Sequence, residues 1–187
     1  MKRIFITGIL ATLAVGTVTA FAQNSFTAPE RKTISDFEKG VKEYDKVRSK
    51  ALKTVPDISK DATPEQILVY KTALRTAVQN ARPNAKQGEL FTPEAQTLIR
   101  RLNKAQFKGF ERSELRKKVL EADTKGVPVK VNFPYPEQKE LVDMPPQLLL
   151  TLPQLSKNLR YRFIGRSLAV LDRDNALIVD YMREALP

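Results

Sequence analysis

Apolar residues between positions 34 and 55 recur at steps of three and four: Ile34, Phe37, Val41, Tyr44, Val47, Ala51 and Val55. That spacing predicts an amphipathic helix, which Pro56 ends. A second start is written in Thr63-Pro64-Glu65-Gln66. Threonine can cap the helix, proline suits the first helical position, and Gln66 completes a capping box. Ile67, Tyr70, Leu74 and Val78 supply the stripe, Pro83 stops it, and residues 85–90 read as a linker containing Gly88. Thr92-Pro93-Glu94 opens a third helix carrying Leu98, Ile99, Leu102 and Ala105. The patterns after the two Thr-Pro-Glu starts do not superpose, so they mark two helices and no repeat. Gly109 breaks or bends the chain, and Phe110, Leu115, Val119 and Ala122 predict a fourth, shorter helix ending before Gly126.

Beyond Gly126 the period changes to two. Val127, Val129, Val131 and Phe133 alternate with Pro128, Lys130, Asn132 and Pro134. This predicts a strand with one buried face, confined by Pro128 to an edge or a strand start. A proline-rich connector follows over 137–158, with a helical turn expected at Pro145 or Pro146. Leu159, Tyr161 and Phe163 then alternate with Arg160 and Arg162, and Gly165-Arg166 fits a two-residue hairpin turn. Ser167 to Leu171 is the return strand, Asp172-Arg173-Asp174-Asn175 a polar turn, and Ala176 to Tyr181 a last strand. Three such strands need cover from the helices or the connector. The expected class is α+β: about four N-terminal helices packed with a small C-terminal antiparallel meander. The expected division is a basic helical region over 23–126 and a connector-and-strand region over 127–187, forming one compact unit.

Residues 1–22 stand apart from this pattern. Lys2 and Arg3 precede an uncharged apolar run from Ile4 to Val18, and Ala20-Phe21-Ala22 supplies a small-x-small cleavage site. This is the layout of a secretory signal peptide. The run falls short of the roughly 20 apolar residues a spanning helix needs. The expectation is export, periplasmic or fully secreted, with cleavage after Ala22 and no transmembrane segment thereafter.

Composition narrows the chemistry. The 187 residues include 32 Lys plus Arg against 21 Asp plus Glu, with no Cys, His or Trp. Loss of Lys2 and Arg3 with the leader lowers the net charge from +11 to +9. Residues 23–126 hold 22 basic against 14 acidic side chains, while 127–187 are nearly balanced at 8 against 7. No disulfide, Cys/His zinc site, cysteine nucleophile or Ser-His-Asp relay can be built. No phosphate loop, dinucleotide fingerprint or nucleophile elbow is present, and no cofactor is called for.

Two clusters are candidate binding surfaces. Arg100, Arg101, Lys104, Lys108 and Arg112 belong to a dense basic run, in which Arg101, Lys104 and Lys108 can share one helical face. Clustered cations attract phosphate-bearing polymers or anionic lipid, although such a run also serves as a solvated face. Arg160, Tyr161, Arg162 and Arg166 sit on or beside the hairpin. Arginine and aromatic residues are favoured at interfaces, but cross-strand pairing with nearby aspartates is the favoured expectation here. Asp172, Asp174 and Asp180 begin like a calcium loop; Ala176 and Leu177 then follow without the turn glycine, and Arg183 stands where a bidentate Glu is needed. They read as turn formers, and no metal site is expected.

The chain resembles a family of small secreted bacterial proteins of unknown function. The resemblance is carried by Thr63-Pro64-Glu65-Gln66, by 81–88, and by Phe91-Thr92-Pro93-Glu94. Further on it is carried by 131–137, Met144-Pro145-Pro146, Leu152-Pro153, 161–166 and Ala176-Leu177-Ile178-Val179-Asp180. It implies export and a terminal hairpin with an Asp-containing last strand, and no activity. Residues 159–181 are also similar to the terminal hairpin of periplasmic nickel–cobalt homeostasis proteins, but the histidines of a nickel or cobalt binder are missing.

The reading is a non-enzymatic binding or interaction module of the cell envelope, its partner an envelope protein or an anionic polymer or lipid. Nucleic acid is a poor partner for an exported protein. The alternative is a small glycan-acting or other hydrolase using only Asp and Glu, for example Glu137 with Glu140. A third reading is a component that stabilises a larger envelope assembly.

Overall fold

In the computed structural model, residues 26–106, 109–122, 124, 126–136, 139 and 144–186 are described, the side chains of 109–112, 115 and 147 excepted. The leader expected over 1–22 lies outside them. Helix α1 (Ala28–Leu52) begins earlier than its apolar stripe, because Thr27-Ala28-Pro29-Glu30 is itself a capping box. The Thr27 hydroxyl accepts from the Glu30 amide, and the Thr27 amide donates to the Glu30 carboxylate at 2.9 Å. These bonds satisfy two amides that the helix leaves open. Phe37, Val41, Tyr44, Arg48 and Ala51 form the buried face of α1. Gly40 lets 89–90 approach closely: a Cβ there would stand 2.8 Å from the end of the Leu90 side chain.

Helix α2 (Pro64–Ala81) starts at the Thr63 capping box and buries Leu74 and Val78, while Ile67 stays 38% exposed. Helix α3 (Pro93–Gln106) buries Leu98, Ile99 and Leu102, and α4 (Gly109–Glu121) buries Val119. The turn α5 (Pro146–Leu149) forms where the paired prolines place it. Strands β1 (Leu159–Ile164), β2 (Ser167–Asp172) and β3 (Ile178–Met182) make an antiparallel sheet in the order β1-β2-β3. Ile164 pairs with Ser167 across the two-residue turn, where Gly165 takes φ +54°, a conformation glycine adopts at little cost. The fold is therefore α+β, with N-terminal helices and C-terminal strands.

The sheet is covered on both faces. Leu159, Tyr161, Phe163, Leu168, Val170, Val179 and Met182 share one hydrophobic cluster with Phe37, Leu74, Phe91 and Ile99 of the helical half. Helices and strands thus divide one core. Ile164, Ala169, Leu171, Ile178 and Tyr181 face the other way, where Val131 and Tyr135 cover them.

The strand expected over 127–133 is not formed. This stretch runs as an irregular strap with a single bridge, Pro134 to Leu177. Asn132 lies in the left-handed region at φ 59°, and Pro128 and Pro134 have no amide to donate. Its backbone bonds to β3 and the turn before it are few: the Asn132 amide to Ile178 O, the Ile178 amide to Phe133 O, and the Tyr135 amide to Ala176 O. With Arg82 and Gln87 donating to Val179 O and Tyr181 O, the strap covers the outer edge of β3. Among the described residues, no helix is long and apolar enough to cross a membrane.

Candidate anion-binding cleft

The outer edge of β1 is bordered by the segment that leads into it, residues 153–158. Three hydrogen bonds hold that segment to α1. The Gln154 amide donates to Glu38, while Ser156 Oγ and Asn158 Nδ2 both donate to one Asp45 oxygen, at 3.1 and 2.9 Å. Tyr161 anchors it from within, donating its hydroxyl to Pro153 O at 2.9 Å and stacking on Phe37. Burial, helped by the charge of Glu38, pushes the Tyr161 hydroxyl well above its ordinary pKa, so it stays a neutral donor. Pinned in this way, the segment and β1 form the walls of a cleft of about 360 Å³.

Its lining is chemically one-sided. Lys157, Arg160, Arg162 and Arg173 contribute to the cleft, with Leu149 and Leu155 as apolar wall, and no acidic side chain among the described residues lines it. Arg160 and Arg162 stand opposite Leu171 and Ala169, so no aspartate faces them across the hairpin. Arg162 donates to Tyr161 O, and Arg173 Nε donates to Leu159 O at 2.9 Å, which orients both guanidinium groups. Planar guanidinium groups held this way suit bidentate contact with a phosphate or carboxylate.

The other candidate residues are employed differently. Tyr161 fills the core. Arg166 pairs with Glu184 at 2.7 Å at the exposed turn. The register puts apolar residues opposite Arg160 and Arg162, while Asp172 and Asp174 are engaged by Arg48 of α1. On α3, Arg100 donates to the carbonyls of Arg183 and Glu184, and Arg101 pairs with Glu30 at 2.6 Å. Lys104 is exposed. Lys108 and the side chain of Arg112 lie outside the described residues, as do Glu137 and Glu140.

The aspartates of the polar turn and last strand hold the fold together. Asp172 accepts from Tyr44 Oη at 2.8 Å and Arg48 Nε at 2.9 Å, and from the amides of Asp174 and Asn175. Arg48 also reaches Asp174. Burial works against the charge of Arg48, but the two aspartates hold its pKa above the ordinary value. Asp180 accepts from four amides: Gly88 and Tyr181 on one oxygen, Leu90 and Phe91 on the other, at 2.7 to 3.0 Å. These lone pairs are occupied by the protein itself.

A wider groove, about 740 Å³, runs beside α2 and is lined by Val55, Pro56, Leu68, Val69, Ala73 and Ala77 among others. Among the described residues it holds no ionisable side chain; its polar side chains are Thr54, Thr72, Thr76 and Asn80. The cleft at β1 is smaller but is lined by charged side chains, Lys157, Arg160, Arg162 and Arg173. No protein-family model, curated protein or solved structure matches the chain.

Proposed function

We propose that the protein is an exported, non-enzymatic binding module of the cell envelope that takes an anionic, phosphate-bearing ligand at the edge of β1. One observation carries this reading: Lys157, Arg160, Arg162 and Arg173 line a single cleft, and no acidic side chain among the described residues lines it. The composition supports it, since a chain without His or Cys lacks the usual proton-transfer and nucleophilic groups. The leader supports export, and intact-mass analysis of the exported protein should find Gln23 at its start.

The binding test uses inorganic polyphosphate titrated into the protein at low and raised salt. Binding is expected at low ionic strength and should weaken roughly tenfold or more as salt screens the contacts. Arg160→Glu with Arg173→Glu should lower affinity at least about tenfold, whereas Lys104→Glu on α3 should change it by less than about twofold. No binding at low salt, or an equal loss from Lys104→Glu, overturns the assignment of the cleft.

A further inference from the structure

The groove beside α2 continues into a second hollow of about 500 Å³, with which it shares Val55, Pro56, Val69 and Ala73. The surface around them is apolar and stands in water. Val69 is 70% exposed, Leu68 50%, and Ile58 and Ile67 38% each. These are four of the eight large hydrophobics exposed among the described residues, gathered between 58 and 69, whereas such residues are ordinarily scattered. The platform is firm. Leu74 and Val78 root α2 in the core, Thr63 caps it, and the Val55 amide bonds to Leu52 O.

The second hollow carries charge of one sign. Asp57 and Glu65 line it, and among the described residues no cation does. Asp57 is exposed. Hydrogen bonds from its own amide and from Thr63 hold Glu65 below its ordinary pKa, so it stays an anion. Residues 54–70 carry Asp57, Asp61 and Glu65 against the single Lys60, in a chain of net charge +11. Arg75 of α2 turns to Asn175 O instead of the furrow. We infer that this furrow docks a basic amphipathic helix of another polypeptide. Apolar side chains of that helix seat in the hollows along α2, and a Lys or Arg beside them meets Asp57 and Glu65. A helix is the fitting occupant because the furrow follows a helical stripe, Val69, Thr72, Thr76 and Asn80, at steps of three and four. The cleft at β1 shares no lining residue with this surface and selects the opposite charge.

Two labelled probe peptides of about 18 residues separate the furrow from the overall charge. One is built of Leu and Lys, the other of Leu and Glu, with leucines at the same helical positions. In fluorescence anisotropy the Leu/Lys peptide should bind, although the net charge of the protein repels it. Asp57→Lys with Glu65→Gln should weaken that binding at least about tenfold, and Val69→Ser about fivefold. Glu121→Lys, outside the furrow, should change it by less than about twofold. These four positions are exposed, so the variants test the surface without opening the core. Any binding of the Leu/Glu peptide should be indifferent to Val69→Ser. A Leu/Lys peptide that does not bind overturns the inference, as does one that binds Val69→Ser or the charge variant like the parent. A Leu/Glu peptide weakened equally by Val69→Ser removes the basic character of the partner. Sedimentation showing a parent dimer that Val69→Ser breaks puts a second copy in the furrow and also overturns it.

Discussion

Asp172 and Asp180 both lie on the helix-facing side of the sheet, and both are fully buried. They are kept there by opposite means. Asp172 has a counter-ion: Arg48 of α1, itself buried, with Tyr44 as a further donor. Asp180 has no cation among its described hydrogen-bond partners, and four backbone amides converge on it instead. The difference shows in the protons. Burial drives the Asp180 carboxyl above its ordinary pKa of 3.8, and the four amides pull it back only in part. An ion pair answers charge with charge, whereas an amide nest answers it with dipoles and fixes a backbone shape as well. Asp172 therefore pins a helix, and Asp180 shapes the corner at 88–91 that turns the chain into α3. Arg173, next to Asp172, lines the cleft, so the first pin also sets one of its walls.

Removing the counter-charge should have the larger effect. Asp172→Ala leaves Arg48 buried without its main partner and should cost about 3–5 kcal/mol, read as a fall in the denaturant midpoint. A loss below about 1 kcal/mol would mean that Asp174 alone satisfies the arginine, and the contrast with Asp180 would fail. Asp180→Asn comes next. Its amide nitrogen must face a pair of N–H donors, Leu90 and Phe91 or Gly88 and Tyr181, and the expected cost is about 2–3 kcal/mol. Amide hydrogen exchange should then quicken at 88–91 before it does in α1.

The smallest effect is in pH dependence. The folded protein holds the Asp180 proton to a higher pH than the unfolded chain does. Its contribution to stability is thus fully present below the unfolded value and is lost as pH rises through the folded one. The stability advantage of the parent over Asp180→Asn should shrink over that window. An advantage that grows with pH there would show that the amides outweigh burial.

Much of this architecture can be read from residue spacing. The capping boxes at Thr63 and the start at Thr92 are local, so the sequence states them directly. The hairpin is local too, since Gly165 and the alternation around it need no distant partner. The missed elements depend on distance. Arg48 falls on the α1 stripe, four residues beyond Tyr44 and seven beyond Val41, and a charge at such a position signals a buried partner. That the partner is Asp172, 124 residues away, cannot be read from the helix. The strap over 127–135 has the period of a strand and the backbone of a loop, because its prolines and Asn132 decide against a ladder. The cleft was half legible. Arg160 and Arg162 stand out on β1, whereas Lys157 and Arg173 join them only through folding of the connector and the turn. The α3 run was prominent in the sequence, yet Arg100 and Arg101 spend their donors on the chain's own carbonyls and on Glu30.

The pins also impose an order of events on a growing chain. Tyr44 and Asp172 are separated by 128 residues, and Gly88 and Asp180 by 92. Helices α1 to α3 emerge first and can coil locally, but nothing can lock them until β2 and β3 have followed. Closure over such distances makes completion late and all-or-none. A polypeptide arranged this way stays pliable through most of its synthesis and sets hard only when its last strand has emerged.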